Sequence, residues 1–249
     1  MTSITELIHE LPSQYVVPAL RASDGPDEAV ARVFLGHLAS KRPDSSEGWR
    51  ARESLAYFAR ERKGRIPAAL REFGTEALSS ADLDTRALGI SLSVMENSVS
   101  APMLIDQAQS VLGEQRAETV IRHFRNNFSA DETLAARAVI RLLGNARSEN
   151  LKEACVRVLS RAHTRPVLPV LVEMLGSGNP QVRGVAVRGL ADFANNVPPG
   201  KSQKAPGPWR YRTDETEARG AGDIERLAQP ASIQFWRAWW ERYGKELAE

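Results

Sequence analysis

Cysteine is almost missing. The chain of 249 residues has one, Cys155, which excludes a disulfide within the molecule. Histidine is scarce and scattered, at His9, His37, His123 and His163. No HExxH and no paired His/Cys spacing occurs, so no metal site is expected. Long apolar runs are absent too: none approaches the roughly 18 residues that a membrane span needs, so no membrane partner is expected. Excess charge of one sign is lacking. The formal net charge is +2, too small by itself to imply a nucleic-acid partner. Strand-like alternation is almost absent. The opening MTSITELIHELPSQ is acidic and polar rather than basic then apolar, which predicts no signal peptide and a cytoplasmic protein. Gly220-Ala221-Gly222 is too short for a phosphate loop, and Asp214, Glu215 and Glu217 read as a solvated loop cluster. No cofactor and no catalytic set are expected.

What is present is helical period. Apolar residues are 42% of the chain, enough for a substantial core. The clearest stretch runs from Arg165 to Ala194. Pro166 stands where a helix can start, because its missing N–H needs no partner there. Leu168, Leu171 and Leu175 follow at helical spacing, and Gly176 and Gly178 let the chain leave the helix. Asn179 then predicts an N-cap, with Pro180 opening a second helix that puts Val182, Val185, Ala186, Leu190 and Phe193 on one face. Two such helices cannot bury both apolar faces alone.

Earlier segments repeat the second helix. Leu151 to Leu159 matches Val182 to Leu190 at an offset of 31 residues, and Cys155 takes the position of Ala186. Weaker copies begin at Thr85 and Ala51, and Arg116 to Phe124 also fits. The near-constant period is the mark of a helical repeat array. Helices are expected near 28–40, 46–62, 66–79, 82–97, 101–112, 114–128, 130–144, 148–162, 165–175 and 179–194. The 46–62 helix, which follows Pro43, carries Trp49, Leu55 and Phe58. A helical N-terminal cap is expected over 3–22.

The stretch Asn179 to Leu190 resembles the second helix of a HEAT repeat, through Asn179, Val182, Arg183, Ala186 and Leu190. Pro169 sits where the first helix of such repeats often carries proline. The match is best over 165–194 and fair over 131–161. The short period is similar to the compact repeats of bacterial HEAT-like proteins, phycobilisome lyase subunits among them. The resemblance implies an all-α fold, a right-handed α-solenoid of about five stacked helix pairs with capping helices at both ends. On that reading 1–194 is the repeat solenoid. Residues 195–230, rich in Pro, Gly and charge, form a long loop in which Trp209 and Tyr211 mark a docking point. Residues 231–249 form an aromatic capping helix of the same domain, with Phe235, Trp236, Trp239, Trp240 and Tyr243 in one stripe.

Cations recur at fixed repeat positions. Arg52, Arg86, Lys152 and Arg183 share one; Arg157 and Arg188 share another. Stacked second helices would align them on a concave face. They serve either as ties to acids or carbonyls of the adjacent repeat, the reading preferred here, or as a basic groove for a polyanion. The expected function is a non-catalytic scaffold that binds another protein or peptide. The alternatives are a nucleic-acid binder, including an alkylpurine DNA glycosylase-like enzyme, and a lyase-type subunit. The glycosylase family places Trp, Asp and Arg in its groove, whereas here most tryptophans fall in the C-terminal cap and loop.

Overall fold

Helix caps and apolar faces locate each element of the fold. The structure is a computed structural model and describes residues 27–42, 45–61, 66–95, 101–123, 132–162, 164–196 and 226–248. Among these there are eleven α-helices and no strand. The expected cap over 3–22 and the loop residues Trp209 and Tyr211 lie outside the described residues. The chain divides into two compact units, Met1–Arg125 and Asn126–Glu249.

The first unit holds α1 (Asp27–Ala39), α2 (Ser46–Glu61), α3 (Ala68–Ala77), α4 (Leu83–Met95), α5 (Ala101–Leu112) and α6 (Glu114–His123). Helix α1 packs on α2 and α3; α4 packs on α2, α3, α5 and α6; α2 and α5 each also touch α6. Phe34, Leu55, Phe58, Leu70, Leu88 and Leu92 are buried together, with the Phe34 and Phe58 rings 5.3 Å apart. Each such side chain contributes about 1.5–3 kcal/mol on leaving water. Helix α3 starts after Pro67 with no side-chain cap of its own. Instead the Ala69 N–H donates to Glu28 Oε1 of α1 at 3.2 Å, so a neighbouring helix satisfies an orphan donor. Gly113, at φ 77°, makes the left-handed turn between α5 and α6.

The second unit holds α7 (Glu132–Asn145), α8 (Glu149–Leu159), α9 (Val167–Met174), α10 (Pro180–Asn196) and α11 (Pro230–Ala248). Helix α7 packs on α8 and α9, α8 on α9 and α10, α9 on α10, and α11 on α9 and α10. Helices α8 and α10 both start at a side-chain cap, of which Asn179 is the expected one. Ser148 Oγ accepts from Leu151 N at 3.2 Å, and Asn179 Oδ1 from Gln181 N at 2.9 Å. Cys155 is fully buried, and burial pushes its thiol up to about 12, so it carries no thiolate at neutral pH.

The cap of α4 gives a pH test. Burial raises the Asp82 carboxyl, but hydrogen bonds from the Thr85 hydroxyl (2.5 Å) and amide (2.8 Å), with the Arg52 charge, outweigh it and leave the group below its ordinary 3.8. A depressed folded value stabilises above the unfolded value, and this contribution fades as pH falls through the folded one. Asp82→Ala should cost about 1 kcal/mol at pH 7. Urea melts repeated towards pH 3 should show a shrinking gap from the parent; a constant gap would remove the carboxylate from the cap.

Candidate functional site

The four cations expected to share one position, Arg52, Arg86, Lys152 and Arg183, do three jobs. Arg86 Nε donates to Ser80 O at 2.9 Å, and Arg183 Nη1 donates to Ser177 O at 2.8 Å and Gly178 O at 3.1 Å. Each reaches six residues back, tying down the turn before its own helix. Lys152 pairs with Glu149 on its own helix at 2.8 Å. Arg52 is different: its side chain is only 8% exposed, and its Nη2 lies 3.7 Å from Asp84 Oδ2 of α4.

Asp84 gathers a cluster in the first unit. Its Oδ1 accepts from Arg116 Nε of α6 at 2.5 Å while its other oxygen faces Arg52 of α2. Three helices thus meet at one carboxylate. The cluster walls a small cavity of about 40 Å³ lined by Trp49, Arg52, Asp84, Ser91, Arg116 and Thr119. Sequence reasoning missed Asp84 and Arg116 as site residues. The signal was there: Arg52 to Asp84 and Asp84 to Arg116 are both 32 residues, close to the expected period.

Trp49 is 58% exposed, whereas Leu55 and Phe58 are buried. Nine residues separate it from Phe58, which is two and a half helical turns, so the two project from opposite sides of α2. Its side of the helix is that of Arg52 and Ala56, which line the same cavity.

The second cation pair lies in the second unit. Arg157 on α8 bonds Glu153 through Nε at 2.8 Å and Nη2 at 2.7 Å. Arg188 on α10 is half-buried, and its Nη2 is shielded from solvent with no hydrogen-bond partner among the described residues. Burial, then the charge of Arg161, and further that of Arg157, hold its guanidinium below the ordinary value; Asp192 opposes them. Lys152 also borders a broad open groove of about 920 Å³ with Glu149, Glu173, Met174 and Asn179.

Among the described residues no group of three or more His, Cys, Asp or Glu side chains is placed to hold a metal ion. No described helix is long and apolar enough to cross a membrane. No family model, no curated protein and no solved structure matches the chain.

Proposed function

We propose that the chain is a non-catalytic, cytoplasmic scaffold of HEAT-like helix pairs that binds another protein or peptide. Packing order supports the solenoid reading. In the first unit α1 touches α3, and α2, α4 and α6 touch in turn; in the second α7 touches α9, and α8 touches α10. First helices thus touch at α1–α3 and α7–α9, and second helices at α2–α4–α6 and α8–α10, an order that stacking of pairs would give. The binding reading rests on Trp49. An indole is left in solvent beside two arginines and a carboxylate fixed by ion pairing. Trp and Arg are the residues that most often dominate protein interfaces, and a pre-set partner surface lowers the entropy cost of binding. Both Asp84 oxygens face guanidiniums, which suits a positioning role.

A benzophenone amino acid at position 49 should capture a discrete partner, and Thr119→Arg, which fills the cavity, should abolish that capture. The same photoprobe at Leu134, which is also exposed, is the control. Equal capture from both positions would remove the assignment of this face.

One observation favours a second reading. An exposed Trp, an Asp and two Arg do meet in one cavity, the residue types of the glycosylase-like groove. Alkylated duplex DNA should release no purine in the presence of the protein. Release above the buffer rate that Trp49→Ala abolishes would replace the scaffold with the enzyme.

A further inference from the structure

Two glycines of the second unit stand where a side chain would meet nothing. Gly144, in the last turn of α7, and Gly178, between α9 and α10, have no atom within 4 Å of their would-be Cβ, and neither adopts a left-handed φ. Backbone conformation therefore does not demand glycine at either place. Both border the open groove of about 920 Å³. Its floor comes from two helices that pack together: Ile140 and Leu143 of α7, Val170 and Met174 of α9. Leu143 is buried and the other three are half-buried. Glu173 stands three residues after Val170 and beside Met174, so it projects from the same side of α9. The charged lining is Glu149, Lys152 and Glu173. Lys152 Nζ is held by Glu149 Oε1 at 2.8 Å, so those two charges offset each other. Glu173 is exposed, and no ion pair or side-chain hydrogen bond engages it among the described residues. Arg183 is spent on the Ser177 and Gly178 carbonyls. Arg237 of α11 comes to the same turn, 3.5 Å from where a Gly176 Cβ would be, without pairing with Glu173. What the groove offers is one uncommitted carboxylate beside an apolar floor.

We infer that this groove receives a peptide segment of a partner protein that carries a lysine or arginine beside a bulky apolar side chain. The charge sets the sign: a cation on the peptide meets Glu173, whereas an acidic segment or a nucleic-acid backbone meets two carboxylates and an ammonium already paired. The floor sets the neighbour: an apolar side chain laid on Val170 and Met174 leaves water, and the thioether of Met174 adapts to its shape. The breadth sets the size. Small-ligand sites enclose most of their ligand, and a groove this open would leave one in water, whereas a peptide spans it. The two glycines keep the space clear. The groove is made of none of the residues of the Trp49 face and stands or falls separately.

Phage displaying random dodecapeptides are the probe, panned in parallel on the full chain, on Gly144→Leu and on Trp49→Ala. Peptides kept by Trp49→Ala and lost by Gly144→Leu belong to the groove. They should be rich in Lys or Arg next to Leu, Ile, Met, Phe or Trp. Gly144→Leu should leave the melting temperature unchanged or higher, because leucine favours helix and its Cβ meets nothing, so lost binding is not lost fold. One such peptide, made synthetically, should bind Glu173→Lys about tenfold more weakly than the parent, since reversal turns attraction into repulsion. Glu173→Gln should fall between, and added sodium chloride should weaken binding to the parent. Glu173 is exposed, so it tests the site even where leucine at position 144 disturbs the helix. Peptides without a basic residue, equal binding to Gly144→Leu and the parent, or equal binding to Glu173→Lys and the parent overturn the site. Peptides lost only on Trp49→Ala support the first unit's face and overturn this one. Trp209 and Tyr211 lie outside the described residues. Enrichment that appears only when both are changed to serine would give the groove to this chain's own segment and overturn the partner.

Discussion

Replacing Trp236 by alanine is expected to lower stability by about 3–5 kcal/mol, the largest loss from any single truncation of α11. Trp236 is 2% exposed, and α11 packs on both α9 and α10. Its ring meets Phe235 edge-on at 5.2 Å and Trp239 at 5.3 Å, and Trp239 continues the series to Tyr243 at 6.2 Å. Among the described residues, α9 and α10 are the last helices before α11. Without the indoles the apolar sides of α9 and α10 that α11 covers would face water. A urea melt followed by circular dichroism should show the midpoint fall. Trp239→Phe is the control. It keeps an aromatic ring and removes an indole N–H that is buried without a hydrogen-bond partner among the described residues, so its cost should be much smaller. An unchanged midpoint for Trp236→Ala would mean that α11 closes nothing.

The helices were legible because their signals are local. Ser148 and Asn179 cap as their side chains dictate, and Pro180 opens α10 as a residue without an N–H can. Cys155 is buried, and so is Ala186, the residue it was matched with. The cation positions were legible as positions, not as roles. Arg86 and Arg183 find carbonyls in their own turns, a pairing set by backbone geometry that composition cannot display. Arg52 finds Asp84 on another helix 32 residues away, and the sequence names no partner for a charge. Trp49 is exposed although it shares α2 with the buried Leu55 and Phe58, because helical angle and not nearness in sequence decides what shares a face. The pairing of Asp84 with both Arg52 and Arg116 became visible only when α2, α4 and α6 were brought together.

That same convergence depends on a residue with no side chain. Gly89 of α4 sits where a Cβ would lie 2.8 Å from Gly74 O, 2.9 Å from Ala77 Cβ and 3.0 Å from Ala77 C. Two of these three are backbone atoms of α3, which cannot swing aside as a flexible side-chain tip would. Gly74 in turn faces Leu92 Cβ at 3.3 Å from its own would-be Cβ, so the close approach is mutual. Helix propensity alone would reward Gly89→Ala by about 1 kcal/mol. Overpacking costs about 1–3 kcal/mol and occasionally more, and here the opposing atoms are fixed, so the steric cost wins. Gly89→Val, with two further methyl groups, should lose about 3 kcal/mol or more. Gly36→Ala of α1 is the matched control: nothing lies within 4 Å of its would-be Cβ, so propensity acts unopposed and stability should rise by about 0.5–1 kcal/mol. Opposite signs for two glycines in helix interiors would separate packing from propensity. The substitution also reaches the proposed interface. Asp84 lies five residues before Gly89 on the same helix, so pushing α4 off α3 moves the carboxylate relative to Arg52 and Arg116. A Gly89→Ala protein that still folds should therefore show weakened capture of a partner by the photoprobe at position 49. Full capture with lowered stability would mean that the Trp49 face does not depend on the Asp84 cluster.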